Sequence, residues 1–332
     1  MSTGIGHQGQ RLDIGAGSAS SPIAASGTSN IARHLPALAM NLPYGLAVAA
    51  PEGRDGRGRI RSTQLSFQRL DQESDILARG LRAHGIDRGT RVVLMVKPSL
   101  PFFELIFALF KLGAVPVVVD PGMGARNLGT CLAEASPEAF IGIPKAQLAR
   151  VLLRWGSASI KTIVSVGPRL LWGGLSLEDL RQAGATGEPV LVEASRDETA
   201  AILFTSGSTG VPKGAIYSHG NFSAQVDILR RVYDIRPGES DLATFPLFGL
   251  FGPALGMATI IPNMDASKPA KADPQLLVEA IEHWGCSNMF GSPALLRNLG
   301  RYGAETGQRL PSLRRVICAG APVPSQVLEQ VQ

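Results

Sequence analysis

With 332 residues, 45 % of them apolar and only 18 % charged, the chain can bury a large core, which excludes general disorder and fits an ordinary globular α/β protein. The formal net charge of +5 comes from scattered arginines and makes no case for a nucleic-acid surface; the one cluster, Arg54, Arg57, Arg59 and Arg61, sits in a glycine-rich turn and reads as a solvated hairpin. Cys131, Cys286 and Cys318 lack metal-ligand spacing, so they read as buried small apolar residues of a reducing cytoplasm, not as a zinc site or a disulfide framework.

At the start, Met1 to Ser29 is mostly Gly, Ser, Ala, Thr and Gln and offers too little apolar surface to offset its ordering entropy. It reads as a mobile tail or the product of a misplaced start codon, and no basic start followed by a continuous apolar run marks a secretory signal there. Phe67, Leu70, Leu77 and Leu81 fall near helical spacing and predict an amphipathic helix over Ser66 to Gly85. A strand is expected at Arg91 to Val96, a buried helix from Pro101 to Leu112 and a buried strand at Ala114 to Val119. Glu104, Lys111 and Pro116 interrupt the most apolar stretch, which argues against a membrane span and for a soluble, cytoplasmic protein. Helices at Leu128 to Glu134 and Ala146 to Trp155 then alternate with strands at Ala139 to Ile143 and Ile160 to Val166.

A second series follows. Asn221 to Tyr233 predicts a helix, Asp241 to Phe245 and Ala258 to Ile261 predict strands, and Asp273-Pro274 opens a helix to Trp284 with proline just inside its start. A strand at Asn288 to Phe290, a helix from Ser292 to Tyr302 and a strand at Leu313 to Cys318 complete it. The alternation predicts an α/β fold of two tandem αβ subdomains, 30–198 and 199–332. Their sheets should be mostly parallel, with helices on both faces and ligand at the carboxyl ends of the strands.

The most informative stretch, Leu203 to Gly214, packs hydroxyls, flexible backbone and one lysine into a single turn. Gly207, Gly210 and Gly214 permit close backbone approach, so consecutive N–H groups can converge on phosphate oxygens beside the hydroxyls of Thr205, Ser206, Ser208 and Thr209, with Lys213 as a point charge. Pro212 precedes that lysine and Gly214 follows it, which excludes a Walker-type P-loop. The apolar runs Ile202 to Phe204 and Ala215 to Tyr217 make the turn the tip of a strand hairpin. His219 is a tempting base, but its place just before a helix start marks it as structural.

Thr205 to Gly214 resembles the TSGSTGxPKG phosphate loop of the adenylate-forming (AMP-binding) superfamily of acyl-CoA synthetases, peptide-synthetase adenylation domains and luciferases. The resemblance implies that Thr205, Ser206, Gly207, Ser208, Thr209, Gly210 and Lys213 hold the phosphates of ATP, with Mg2+ bridging them. Leu65 to Phe67 with Ser74 to Gly80, and Lys111 to Pro121, resemble two further family segments and read as packing motifs. Phe245 to Phe248 is similar to a segment that ordinarily ends in histidine beside the acyl tunnel, where this chain has Gly249, a departure that puts thioester formation in doubt. On physical grounds Leu247 to Gly252 is either an apolar wall with room for an alkyl chain or a buried turn. The resemblance implies an acyl pocket of Phe248, Gly249, Phe251, Gly291 and Ser292, the last also a natural N-cap. Arg314 to Pro324 resembles a strand and turn that pack on adenine, which implies a base site of Gly320, Ala321 and Pro322; the same residues also suit a plain strand-to-helix turn.

The segments 245–252, 256–273 and 291–295 resemble the β-lactone synthetases of bacterial long-chain olefin biosynthesis. That likeness implies ATP-dependent closure of a long-chain 2-alkyl-3-hydroxy fatty acid and peripheral association with other enzymes of the olefin pathway. A fatty acyl-CoA or acyl-AMP ligase, and a non-catalytic nucleotide- or acyl-binding module, are the alternatives. Several family parts are not found before Gln332: the metal-binding glutamate, the ribose-binding aspartate, and the small C-terminal domain with its catalytic lysine. The chain is therefore expected to be the large N-terminal domain, incomplete at its C-terminus and inactive alone, with no catalytic lysine or metal ligand of its own and an exposed sheet edge that invites pairing.

Overall fold

The computed structural model describes residues 29–119, 123–205 and 213–331. In chain order, a 3-10 turn at Ile31–Arg33 leads into α1 (His34–Asn41), β1 (Leu46–Arg54), β2 (Ile60–Ser66), α2 (Phe67–Ala83), β3 (Arg91–Met95), α3 (Leu100–Leu112) and β4 (Val115–Val119). Next come α4 (Ala125–Ala135), β5 (Ala139–Gly142), α5 (Pro144–Leu152), β6 (Thr162–Ser165), β7 (Leu175–Ser176) and α6 (Leu177–Ala183). β8 (Thr199–Thr205), β9 (Lys213–Ser218), α7 (His219–Tyr233), β10 (Ser240–Ala243), α8 (Pro246–Gly249), α9 (Phe251–Leu255) and β11 (Ala258–Ile260) follow. The last are α10 (Pro274–Trp284), β12 (Asn288–Gly291), α11 (Pro293–Thr306), β13 (Arg315–Cys318) and α12 (Ser325–Val331).

The strands sort into a seven-stranded sheet, β7-β6-β5-β3-β4-β8-β9, and a six-stranded sheet, β13-β12-β10-β11-β1-β2. Among the described residues only the hairpins β1/β2 and β8/β9 are antiparallel; the other pairings are parallel, as expected of βαβ crossovers. The tandem division at residue 198 does not follow the sheets. β8 and β9 close the sheet of the earlier strands by pairing β8 with β4, while β1 crosses to pair with β11. Hydrophobic periodicity marks a strand but carries no information on its partner, so the interleaving was invisible in the pattern.

α2 and α3 occupy the largest core, which takes Ala47, Val48 and Leu65 from one sheet and Val92, Leu94 and Ile141 from the other. That double burial explains why α3 is apolar on every side and buried from Phe102 to Leu112. Lys111 is only 1 % exposed, yet its Nζ donates to Asp71 Oδ1 and Asp75 Oδ1, both at 2.7 Å. The packing motif thus contains a buried ion triad. Gly80 and Gly184 let α2 and α6 meet backbone to backbone; a Cβ on Gly80 would lie 2.1 Å from the Leu180 carbonyl oxygen.

Residues 1–28 of the expected tail lie outside the described residues, but Ser29 does not share its character. It is 1 % exposed, its N–H donates to Ala194 O at 2.6 Å, and its hydroxyl meets His219 O and Ser223 Oγ. The arginine-rich turn is the β1/β2 hairpin, with Asp55 accepting from Arg57 and Arg59 at its tip. Cys131 and Cys286 are buried and Cys318 half-buried, all three as free thiols.

Candidate nucleotide and acyl site

β8 runs parallel to β4 and β9 returns antiparallel, which sets Thr205 and Lys213 opposite one another across the ladder. The phosphate-loop hairpin expected from the flanking apolar runs is therefore present. Ser206, Gly207, Ser208, Thr209 and Gly210 lie outside the described residues, as do the side chains of Thr205 and Lys213. Gly214, the last glycine of the motif, answers a packing need: a Cβ there would lie 2.9 Å from the buried Phe204 ring. A cleft of about 430 Å³ runs between Ala135 of α4 and Phe204, Gly214 and Ile216 of the hairpin.

Behind the hairpin, Ser218 caps α7 in a capping box with Asn221, so the helix begins two residues before the expected start. His219 is fully buried, and neither ring nitrogen has a hydrogen-bond partner among the described residues. Burial lowers its pKa, and the ring sits in the core.

The residues expected to line an acyl pocket lie around the carboxyl ends of β10 and β12 in the six-stranded sheet. Thr244 Oγ1 donates to Phe290 O at 2.6 Å and ties the end of β10 to the end of β12. Phe248, on the short helix α8, stacks on Phe290 with ring centroids 3.9 Å apart and planes 12° from parallel. Phe245 lies 6.0 Å from the same ring. Gly249 differs from the expected open space: a Cβ there would meet Ala243 and the Phe103 ring at 3.2 Å. Its carbonyl accepts from Thr259 Oγ1 at 3.2 Å, so Gly249 sits against packed core where any larger side chain would press on its neighbours. Phe251 is also core, 7 % exposed and 6.1 Å from Phe222. Phe290 is the residue that sequence reasoning passed over, although its place at the carboxyl end of a predicted strand was a usable signal.

Gly291 ends β12, and a Cβ on it would come within 2.9 Å of the Leu296 side chain. Ser292 caps α11, its Oγ accepting from Leu295 N at 3.3 Å, with Pro293 at the first position as expected. Gly291 pairs in register with Cys318 of β13, so the turn after β13 lies on the strand next to the aromatic stack. In that turn Gly320 has φ +101° with nothing within 4 Å of its Cβ position, and Ala321 and Pro322 are exposed. An open left-handed glycine beside two small exposed residues suits the close approach of a flat ring. Phe248, Phe290, Gly291 and the Gly320 turn thus share one sheet, while the hairpin with Thr205 and Lys213 closes the other.

At the opposite ends of the same strands, Glu239 accepts from Ser287, Asn288 and Arg315. Burial alone would raise its pKa, but the backbone N–H of Arg236 and these three side chains hold it down at about 2. Asp241 has no such help, and burial pushes its carboxyl up to about 7. Among the described residues no cluster of three or more His, Cys, Asp and Glu side chains could hold a metal ion.

The family model "AMP-binding enzyme" matches residues 51–332. The chain is 51 % identical over 304 residues to an olefin beta-lactone synthetase of Xanthomonas campestris pv. campestris, covering 91 % of this chain and 54 % of that protein. It is 50 % identical over 306 residues to the enzyme of the same name from Stenotrophomonas maltophilia, with the same coverages. The chain thus spans about half the length of the curated relatives it matches. Among solved structures, a long-chain-fatty-acid-CoA ligase from Archaeoglobus fulgidus superposes with a TM-score of 0.77 at 19 % identity, over 92 % of this chain and 60 % of that one. The N-terminal domain of FACL13 from Mycobacterium tuberculosis superposes with a TM-score of 0.69 at 22 % identity, over 91 % and 72 %. At these identities the two structures show the fold alone.

Proposed function

The chain belongs to the AMP-binding enzyme family, and from that membership we propose that it is the nucleotide- and acyl-binding part of a synthetase that converts a long-chain 2-alkyl-3-hydroxy fatty acid to a β-lactone. The observation that carries this reading is the 51 % identity, over 91 % of the chain, to a protein named for that reaction. ATP is the co-substrate. Its phosphates are assigned to Thr205, Ser206, Gly207, Ser208, Thr209, Gly210 and Lys213 at the hairpin tip, and its base to Gly320, Ala321 and Pro322, where the open glycine leaves space for a ring.

In the proposed reaction a carboxylate oxygen of the fatty acid attacks the α-phosphorus, and the bond from that phosphorus to the pyrophosphate oxygen breaks. The 3-hydroxyl oxygen then attacks the activated acyl carbon and gives up its proton, and the acyl carbon–oxygen bond to AMP breaks. Adenylation replaces a poor leaving group with a good one. A pocket that holds the hydroxyl over the carbonyl supplies the proximity that a strained four-membered ring requires. Phe248 with Gly291 and Ser292 forms the acyl wall in this reading, and Phe290 extends it; Gly249 and Phe251 support the wall from behind. Each CH₂ buried against such a wall contributes about 0.8 kcal/mol. Mg2+ would offset phosphate charge, and no step is assigned to it.

Pyrophosphate release from ATP with a racemic 2-alkyl-3-hydroxy fatty acid, for this chain beside a version extended to the length of its relatives, tests the proposal. Release by the longer protein without coenzyme A, with a β-lactone seen by NMR, is the expected outcome. A thioester formed only when coenzyme A is added would overturn the reading in favour of an acyl-CoA ligase.

A further inference from the structure

Between Ala139 and Leu177 the chain carries Lys145, Arg150, Arg154, Lys161 and Arg169 and not one Asp or Glu. This segment forms β5, α5, β6, β7 and their connections, the β7 side of the seven-stranded sheet. α5 starts directly beyond the end of β5, and the turn after β6 abuts it, since a Cβ on Gly167 would lie 3.5 Å from Pro144 Cδ. Gln147 is buried and donates to Val164 O at 2.8 Å, which fixes the inner face of α5 on β6. The outer face then presents apolar side chains to solvent. Leu152 is 71 % exposed, Leu148, Val151 and Leu153 are exposed beside it, and Leu171 in the adjoining turn is fully exposed next to Leu170.

Single exposed leucines need no explanation, but five leucines and Val151 on α5, its C-cap and the neighbouring turn form a patch of the kind that meets a partner. The charges around it say which kind. Lys161 pairs with Glu138 and Arg169 with Asp179, and Arg150 turns inward, its Nε donating to Gln147 Oε1 at 3.1 Å and its guanidinium lying over the Phe140 ring, while the exposed Lys145 and Arg154 have no acidic partner among the described residues. Lys97 is exposed on the loop after β3, whose Met95 carbonyl accepts from Ile143 N at 3.0 Å. Arg154 holds φ +51°, a left-handed conformation after the helix end that glycine adopts at no steric cost. A cation therefore stands where the backbone alone would favour glycine. Exposed apolar side chains flanked by the unpaired Lys145 and Arg154 complement a surface that is apolar within and anionic at its border.

We propose that this face of α5 and the 167–173 turn docks on an anionic lipid bilayer, with Leu152 and Leu171 entering the acyl boundary and Lys145 and Arg154 meeting phosphate headgroups. The docking is independent of nucleotide and of the reaction proposed above. Among the described residues no helix is long and apolar enough to cross a membrane, so attachment is peripheral.

Flotation of the chain with vesicles of phosphatidylglycerol and phosphatidylethanolamine, against phosphatidylcholine alone, is the test, and no ATP is needed. The chain is expected to float with the anionic vesicles only and to leave them at high salt. Arg154→Gly is expected to weaken partitioning about fivefold, and Lys145→Ser with Arg154→Gly about 30-fold. The thermal midpoint of Arg154→Gly should be unchanged or raised, which separates binding from folding. Leu152→Asp with Leu171→Asp should abolish flotation, and Trp172, in the same turn, should shift its emission to the blue when anionic vesicles are added. Equal binding to neutral vesicles, or wild-type flotation of the variants, would overturn the proposal. So would an oligomer that Leu152→Asp dissociates, since the patch would then serve a second copy of the chain.

Discussion

The two sheets treat buried charge differently. Around the seven-stranded sheet, ionised side chains enter the core with partners: Lys111 meets Asp71 and Asp75, and Arg181 on α6 donates to Glu73 at 3.0 Å and Glu104 at 2.8 Å. In the six-stranded sheet, Glu239 is held by three side-chain donors, yet Asp241, two residues on, is buried without a counter-charge among the described residues. A paired ion is tolerated because the partner replaces the lost hydration, while an unpaired carboxylate avoids the penalty by keeping its proton. Around the first sheet the partners offset burial only in part, since the carboxyls of Asp71 and Glu104 are still raised by it, so that sheet should be sensitive above all to loss of a partner and the second, through Asp241, to pH.

Substitution of Lys111 should produce the largest effect. Lys111→Met leaves Asp71 and Asp75 facing each other in the core, and a loss of about 3–5 kcal/mol is expected in denaturant unfolding. Wild-type stability for this substitution would show that the triad contributes nothing.

Asp241 sharpens the contrast. Its folded pKa of about 7 lies above the unfolded value of 3.8, so between these pH values the native state holds the proton that the unfolded chain releases. Its contribution is favourable at low pH and is lost as pH rises through about 7. Asp241→Asn, which cannot ionise, should be more stable than wild type by up to roughly 4 kcal/mol above that range and equal to it near pH 4. Parallel stability–pH curves for the two proteins would contradict this.

Gly249 tests the packed rim. Gly249→Ala forces a methyl against Ala243 and Phe103 and should cost about 1–3 kcal/mol, which a thermal melt can read. The smallest change is expected at β13, where Val316 is 40 % exposed and, among the described residues, the strand pairs only with β12. Val316→Lys should move stability by less than about 0.5 kcal/mol while reducing self-association in sedimentation.

The phosphate-loop hairpin was legible because its signals are local: apolar runs on either side of a glycine-rich turn can hardly do anything else. The caps at Ser292 and Asp273 were legible for the same reason, since each acts within three residues. The candidate acyl wall was legible only in part. Residues 247–252 read as a wall or as a buried turn, and the structure divides them, with Phe248 stacked on Phe290 and Gly249 and Phe251 in the core.

By itself the sequence determined the alternation of strands and helices, the hairpin at Thr205 and Lys213, and the absence of a disulfide framework, all properties of neighbours along the chain. The tertiary structure alone decided that β1 pairs with β11 and β8 with β4, that Lys111 is buried in an ion triad, and that Phe290 stacks on Phe248. Each of these joins residues dozens to hundreds of positions apart. Whether a buried lysine is paired, or a glycine faces space or a phenylalanine, is settled by what the other segment brings.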